Sequence, residues 1–255
     1  LGEQVLNFTV GNIKSSSYIY GHQFMTSGEY QLPSADQYLD IAESSGVMPD
    51  IEKRKKELIN GIEACAQEHG AKILEDDELV DIVTNLVEFP FPVVGTFDAE
   101  FLKVPDEVLI TAMREHQKYF ALTDQTDETD ETGRLVPKFI AVNNTLAKNM
   151  RTVAMGHEKV IRARLADAAF FYDADLKLSL DEMAEKLKAV TFQEKLGTVH
   201  DKCLRTGSLC QYLSGQPGFE NEQSLQQDLD RAAKICKADL VSQVVIEFTK
   251  LQGVM

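Results

Sequence analysis

Adjacent histidine and aspartate side chains are the first residues that could do chemistry. His200 precedes Asp201, and such a pair can supply two ligands of a divalent ion that activates water for phosphate ester hydrolysis. The site would need further ligands from other helices. The remaining candidates, none of which lies in a recognised motif, are His157, Asp228, Asp230 and Asp239. Because His-Asp pairs also arise by chance, we favour a structural role and keep a metal-dependent phosphohydrolase as the alternative.

A second group of potential ligands is the acidic stretch at residues 124–131, which contains five carboxylates. Carboxylate oxygens bind hard cations such as Ca²⁺. The stretch lacks the central glycine and the spaced terminal glutamate of a calcium-binding loop. We therefore interpret it as a solvated loop, and we expect this chain to hold no metal ion.

Motifs of the common nucleotide-binding and hydrolytic sites are absent from the sequence. It contains no GxxxxGK[ST], GxGxxG, GxSxG or HExxH, so nothing indicates a phosphate loop, a dinucleotide site, a serine hydrolase or a zincin. The cysteines form no CxxC pair that would indicate a zinc site or a disulfide framework; they are Cys65, Cys203, Cys210 and Cys236. We predict no catalytic residues, no bound cofactor and a reducing, cytoplasmic environment.

Length and charge limit the possible partners. The 255 residues, 44% of them hydrophobic, are typical of one large or two modest globular domains. No apolar run approaches the roughly 18 residues of a membrane span, so we expect no membrane partner. The formal net charge of −15 opposes long-range attraction to nucleic acid, so we expect no DNA partner and only local contact with RNA. The chain opens without methionine, which led us to expect an internal piece of a longer protein.

Hydrophobic periodicity predicts an α+β fold in two parts. Short strands joined by turns are expected in the first thirty residues. A hairpin is predicted at 119–123 and 135–142. Residues 89–94, interrupted by two prolines, are typical of an edge strand or an extended link rather than a central strand. Helices are predicted at 35–44, 50–68, 76–87 and 107–116. From about residue 151 the pattern is helical throughout, with helices at about 152–174, 179–190, 195–214 and 222–250, the last of them with a break. We place a mixed sheet-and-helix domain at 1–175 and an all-helical region at 176–255.

Several blocks of sequence resemble one known family. The three longest are VLITAMREHQKYF (108–120), GHEKVIRARLADAAFFY (156–172) and FQEKLGT (192–198). Shorter ones are LVEFP (86–90), KADLV (237–241) and EFTKLQG (247–253). In order and spacing, along nearly the whole chain, they resemble the β subunit of the bacterial-type heterotetrameric glycyl-tRNA synthetase. Blocks of this length are far more specific than a short motif.

The resemblance implies a β chain that works with a separate α subunit in an α2β2 ligase, which joins glycine to tRNA(Gly). In that family the α subunit contains the class II active site and uses the ATP and Mg²⁺, whereas the β subunit is required for charging and supplies much of the tRNA binding. Its middle resembles the B3/B4 domain of the phenylalanyl enzyme, and a helical domain named for HD phosphohydrolases follows. The resemblance thus implies that 1–175 is B3/B4-like, that 176–255 is an HD-like region truncated at its C-terminus, and that this chain alone is inactive.

Basic residues are concentrated in one stretch of the chain. Residues 138–164 contain six basic side chains and one acidic side chain. Because phosphate binding depends on local Lys and Arg density, we predict that tRNA contacts a basic strip formed by Lys138, Lys148, Arg151, Lys159 and Arg162. Arg164 is left out because Asp167, three residues away, can pair with it. The alternatives, that these cations only solvate a helix or that the chain is a protein-interaction module, stay open.

Overall fold

The computed structural model of the chain describes residues 4–124, 133–216 and 223–254. The chain divides into two compact units. The first comprises Leu1–Leu102 and Met113–Ala163, and the second comprises Lys103–Ala112 and Arg164–Met255. This division does not coincide with the boundary after residue 175 that the sequence suggested, and the identity of the two predicted domains stays a prediction.

Two short antiparallel hairpins begin the first unit, as the mixture of glycines with β-branched and aromatic residues predicted. Their strands pair as β1 with β2 and β3 with β4; the bounds are β1 (Thr9–Val10), β2 (Ile13–Lys14), β3 (Tyr18–Tyr20) and β4 (Glu29–Gln31). Between β3 and β4, the His22 amide donates to the Ser45 carbonyl at 2.8 Å, and the Thr26 hydroxyl donates to the same oxygen at 3.0 Å. The segment that joins β3 to β4 is therefore fixed to the rest of the unit.

A four-stranded antiparallel sheet forms the centre of the first unit. Its order is β5-β7-β8-β6, and the strands are β5 (Ala71–Ile73), β6 (Phe91–Thr96), β7 (Phe120–Asp124) and β8 (Leu135–Asn143). The hairpin of β7 with β8 and the edge position of β6 confirm two predictions. The Phe97 amide donates to the carbonyl of Pro137 on β8, whereas the neighbouring Thr96 amide donates to Glu158. Successive backbone N–H groups along a strand point to opposite sides. The backbone nitrogen of Pro92 therefore points away from β8.

Three helices of the first unit are α1 (Tyr38–Ser44), α2 (Ile51–Glu68) and α3 (Asp77–Leu86). The Asp50 carboxylate caps α2 by accepting from the Lys53 amide, and Gly70, with φ of +65°, supplies the left-handed conformation that follows many helix ends. Apolar side chains of α2, α3 and the sheet form one core; its buried members include Leu58, Ile62, Ala66, Leu79, Val83, Phe120, Leu122 and Ile140. The predicted bounds of α1 to α3 are confirmed to within a few residues.

The helix predicted at 107–116 changes form midway. It begins as α4 (Asp106–Thr111) and continues as a π-helical turn over Ala112–Gln117. The turn ends beside Lys118, whose φ is +56°. A positive φ is energetically unfavourable for a non-glycine residue. Surrounding contacts must therefore stabilise the backbone conformation of Lys118.

The α-helices and strands that follow in the described residues are α5 (Met150–Asp175), α6 (Leu180–Lys186), β9 (Thr191–Gln193), β10 (Gly197–Thr198), α7 (Val199–Ser214), α8 (Gln223–Ile235) and α9 (Gln243–Glu247). The prediction of an all-helical region from 176 to 255 is wrong, because β9 and β10 pair as a hairpin. The helix expected from residue 195 starts at Val199, since Gly197 takes a φ of +84° and Thr198 caps the helix. Within the described residues, no helix is long and apolar enough to cross a membrane.

Candidate nucleic-acid interface

Three residues of the basic strip lie on α5. Arg151 and Arg162 are eleven residues apart, which is about three helical turns, so they share one face, and Lys159 lies at its margin. All three side chains are exposed. The structure therefore presents them to solvent, as a phosphate-binding surface requires.

Contacts with the end of β6 fix this face of α5. The Glu158 Oε1 atom accepts from both the amide and the hydroxyl of Thr96, each at 2.9 Å. One turn further along, Arg162 Nε lies 3.0 Å from the Asp98 carboxylate. Arg162 is thus already paired within the protein, so its charge is less available to a phosphate than the sequence suggested.

The other two residues of the strip lie outside α5. Lys138 is on β8, opposite Thr96 in the strand register, and its ammonium donates to the His69 carbonyl at 2.9 Å. Lys148 is exposed in the connection that leads into α5. Strand pairing therefore brings Lys138 close to the Thr96 anchor of α5, although the two lie far apart in sequence.

Four cations of the strip have no ion pair with any residue in the described parts of the chain: Lys138, which donates to the His69 carbonyl instead, Lys148, Arg151 and Lys159. Arg164, which the sequence led us to exclude, forms no ion pair with Asp167, although both residues are described. Arg164 is half-buried and Asp167 is exposed. The reason for excluding Arg164 was therefore wrong. Contact between tRNA and the strip stays a prediction.

A groove of about 540 Å³ adjoins the start of α5. Side chains from α2, β6 and α5 line it, and they include His69, Thr96, Arg151, Met155 and Glu158. The charged side chains that line the groove include both a cation, Arg151, and an anion, Glu158. The groove therefore gives Arg151 an open approach for a ligand, but it forms no cluster of catalytic side chains.

A hydrogen-bonded chain of Tyr119, His157 and Asn143 lies near the strip, and sequence reasoning did not find it. Nε2 of His157 lies 2.9 Å from the Oδ1 atom of Asn143, and its Nδ1 lies 2.8 Å from the Tyr119 hydroxyl. Because Oδ1 can only accept, Nε2 carries the proton, so the neutral ring accepts the Tyr119 proton at Nδ1. Burial lowers the pKa of His157 and raises the pKa of Tyr119 to about 12, so both groups are neutral near pH 7.

Arg114, within the π-helical turn, is the centre of a second cluster. Its Nε atom lies 2.6 Å from Asp76 Oδ2, and its other nitrogens bind Glu78 and Glu115. Asp76 also caps α3 by accepting from the Leu79 amide. Burial opposes ionisation of Asp76, but the hydrogen bonds from Arg114 and Leu79 outweigh it and hold the pKa of Asp76 below its usual range. The cluster ties the π-helical turn to α3, which is a structural role.

Asp201, the acidic member of the His200–Asp201 pair, has a structural role as a helix cap. The Asp201 carboxylate accepts from the amide and hydroxyl of Thr198, and the Asp201 amide donates back to that hydroxyl. This is a capping box, and the hydrogen bonds from Thr198 lower the pKa of Asp201. Among the described residues, no group of three or more potential ligands could hold a metal ion. Most of the acidic stretch at 124–131 lies outside the described residues.

Comparison with known proteins gives one consistent result. The glycine–tRNA ligase beta subunit of Desulforapulum autotrophicum is 57% identical over 255 residues, which are all of this chain and 36% of the relative. The corresponding protein of Desulfatibacillum aliphaticivorans is 47% identical over the same share of each chain. That of Geotalea uraniireducens is 44% identical over 253 residues, which are 98% of this chain and 35% of the relative.

The chain thus spans about a third of the length of the curated relatives that it matches. The family described as glycyl-tRNA synthetase beta subunit matches residues 1–255, in agreement with the order of the sequence blocks. This chain belongs to the glycyl-tRNA synthetase beta subunit family.

Proposed function

We propose that this chain is a tRNA-binding and scaffold part of a glycine–tRNA ligase β subunit and that it contributes no catalytic residue. The observation that carries the proposal is the exposed face of α5, where Arg151 and Lys159 have no ion pair with a described residue. Glu158 holds this face against the end of β6, so the two cations are presented from a rigid element. A phosphate backbone is the ligand that suits such a surface.

Electrostatics support a local contact. The chain as a whole carries a formal charge of −15, which discourages non-specific binding of RNA elsewhere. Phosphate binding depends on the cations within a Debye length, about 8 Å at physiological salt. A small basic strip on an acidic protein therefore binds RNA at one place.

Family membership supports the other parts of the proposal. The protein works with an α subunit in an α2β2 assembly in the cytoplasm, and that subunit uses the ATP and Mg²⁺ to activate glycine. The first part of this chain is B3/B4-like and the second is HD-like. The second part performs no phosphohydrolysis, since Asp201, the obvious metal ligand, is engaged in a helix cap.

We further propose that the B3/B4-like part does not edit misacylated tRNA. An enzyme needs editing where a competitor smaller than the substrate, or of the same size, fits its pocket. Glycine is the smallest amino acid, so a pocket can exclude every other side chain by steric clash. Rapid deacylation of alanyl-tRNA by the β subunit would contradict this.

The test of tRNA binding uses the complete α2β2 enzyme. We expect the double variant Arg151→Glu with Lys159→Glu to raise the KM for tRNA about tenfold, which corresponds to about 1.4 kcal/mol, and to reduce its salt dependence. Glycine-dependent pyrophosphate exchange should not change. The matched control is Lys56→Glu with Lys72→Glu, two exposed lysines of α2 and β5 that lie outside the strip. Equal tRNA kinetics in the two double variants would exclude the strip as a binding surface.

A second measurement tests the absence of catalysis. The full-length β subunit without its α partner should show no glycine-dependent pyrophosphate exchange. Pyrophosphate exchange that persists in highly purified β subunit would contradict the proposal that the α subunit activates glycine.

A further inference from the structure

Residues 5–32, which we call the N-terminal platform, expose several large apolar side chains. Six of its large apolar side chains are between 57% and 78% exposed: Leu6, Phe8, Val10, Ile13, Tyr20 and Phe24. In β1 and β2 every residue is exposed, so neither face of that hairpin is covered by the described part of the chain. Contiguous exposed apolar surface usually marks a site of interaction.

The platform is nevertheless held in place. The His22 ring is 1% exposed, and its Nδ1 accepts from the amides of Phe24 and Met25 at 3.2 and 3.3 Å. The Leu146 amide contacts the Met25 sulfur at 3.4 Å. The bonds at His22 Nδ1 order the platform internally, whereas the Leu146 contact and the hydrogen bonds from His22 and Thr26 to the Ser45 carbonyl join its middle to the rest of the first unit.

The composition of the platform indicates a protein partner. Its 28 residues contain one lysine and one glutamate, whereas 26% of the whole chain is charged. Protein interface cores are depleted in charge and enriched in Tyr, Phe and Met. A surface with a single lysine cannot neutralise a phosphate backbone, so RNA is a poor occupant.

The strands of the platform also need support. The pairs β1-β2 and β3-β4 are each a separate two-stranded sheet, and an isolated hairpin of this kind is marginally stable in water. No further strand among the described residues pairs with either hairpin, so each has two open edges, which are templates for a further strand. A segment that adds a strand and covers the apolar faces would satisfy both needs.

We propose that the N-terminal platform is an intramolecular docking surface, covered by a segment of the full-length polypeptide that lies outside residues 1–255. The relatives are almost three times as long as this chain, which spans 36% of the most similar ones named above, so most of the polypeptide is available for this role. A tethered segment binds at a high effective concentration and does not dissociate on dilution. An apolar surface with so few charges is best covered at all times, since repeated exposure to water would favour aggregation.

The test is hydrogen exchange measured by mass spectrometry on the full-length β subunit, alone and with its α partner. The backbone amides of residues 5–32 should exchange at least 100-fold more slowly than unstructured peptide in the β subunit alone, at every protein concentration. Protection that appears only with the α subunit would assign the platform to that partner and overturn the proposal. Protection that depends on concentration would indicate a second copy, and rapid exchange in all samples would indicate an uncovered surface; either would also overturn it.

A pair of variants checks the side chains. Val10→Lys with Ile13→Asp places an opposite-charge pair on two directly paired residues, which would be harmless if that surface faced water. In the full-length β subunit we expect faster exchange of residues 5–32 and unchanged exchange in the four-stranded sheet. Phe170→Asp, at a side chain that is 66% exposed on α5, is the matched control and should leave residues 5–32 protected. Unchanged protection of the platform in the double variant would contradict the proposal.

Discussion

The hydroxyl of Tyr119 lies 2.8 Å from Nδ1 of His157, and this contact joins the start of β7 to α5. The two rings also meet edge to face, with centroids 5.4 Å apart, and the Tyr119 ring stacks on Phe139 at 4.7 Å. The helix that carries most of the basic strip is therefore attached to the sheet by a hydrogen bond between two neutral side chains as well as by Glu158.

Removal of the Tyr119 hydroxyl should destabilise the protein. Tyr119→Phe keeps the ring stack but leaves Nδ1 of a half-buried histidine without a donor, which costs about 1–2 kcal/mol. Urea denaturation measures the free energy of unfolding. Tyr38→Phe, at an exposed tyrosine of α1, is the control and should change stability by less than about 0.5 kcal/mol. Equal stability of the two variants would show that the Tyr119 hydrogen bond contributes nothing.

Stability should fall as the pH falls below about 6.5, the ordinary pKa of histidine. Burial lowers the pKa of His157 in the folded protein. In the window between the lowered and the ordinary pKa, the unfolded chain binds a proton that the folded chain does not, so protonation favours unfolding. The contribution is complete above the ordinary pKa and is lost on acidification. Comparison of unfolding free energies at pH 7.5 and 5.5 should show a smaller decrease for His157→Asn than for the parent protein; identical decreases would contradict the assignment.

Arg114 should be difficult to replace. Its side chain is 18% exposed and contacts three carboxylates. Arg114→Met leaves Asp76 and Glu115 without their cation, and we expect a loss of about 2–3 kcal/mol, somewhat below the range for a fully buried pair. Arg114→Lys keeps the charge but loses the planar fork, so it should be intermediate. Lys188→Met breaks an exposed ion pair with Glu185 and should have little effect. A similarly small effect of Arg114→Met would exclude the cluster as a stabilising element.

The cap of α7 gives a test of the phosphohydrolase alternative. Thr198→Ala should cost about 1 kcal/mol through loss of the capping hydrogen bond, and Asp201→Ala should also lower the free energy of unfolding. Excess Mn²⁺ should leave the Tm of the parent protein and of Asp201→Ala unchanged, because a ligand stabilises only a fold that binds it. A rise in Tm with Mn²⁺ that disappears in Asp201→Ala would revive a metal site.

Local signals predicted the elements that local chemistry determines. Helix α2 begins after Asp50 and ends near Gly70 because a capping carboxylate and a left-handed glycine act within a few residues. The hairpin of β7 with β8 was predictable because two strand-like runs flank a polar loop. Pro92, which lies in β6, indicated an edge strand for a similarly local reason, since a proline cannot donate to a neighbouring strand.

The features that sequence reasoning missed depend on contacts between distant residues. Tyr119 and His157 are 38 residues apart, as are Arg114 and Asp76, and no periodicity connects them. The π-helical turn that contains Arg114 needs those contacts and leaves no mark in the apolar pattern. The hairpin before α7 was overlooked because its strands contain three and two residues, too few to show alternation.

The basic strip was predictable as a stretch of sequence but not as a surface. The number of cations between Lys138 and Arg162 can be read from the sequence. The sequence could not show that Asp98 pairs with Arg162 or that the His69 carbonyl accepts from Lys138, because both partners come from elements earlier in the chain. The tertiary structure therefore shifts attention to Arg151 and Lys159.

Pro92 also affects whether a strand of a second molecule can pair with the edge of the sheet at β6. Its nitrogen lies on the outer side of β6, where any other residue would present an amide hydrogen to a strand from a neighbouring molecule. The free edge of the sheet consequently lacks a donor at its second residue, and Glu158 occupies the donor of Thr96. Val94 alone can then donate outward along this strand, which is too little for a continuous ladder. The sheet edge is thereby protected against the edge-to-edge polymerisation that threatens open β-sheets in a crowded cell.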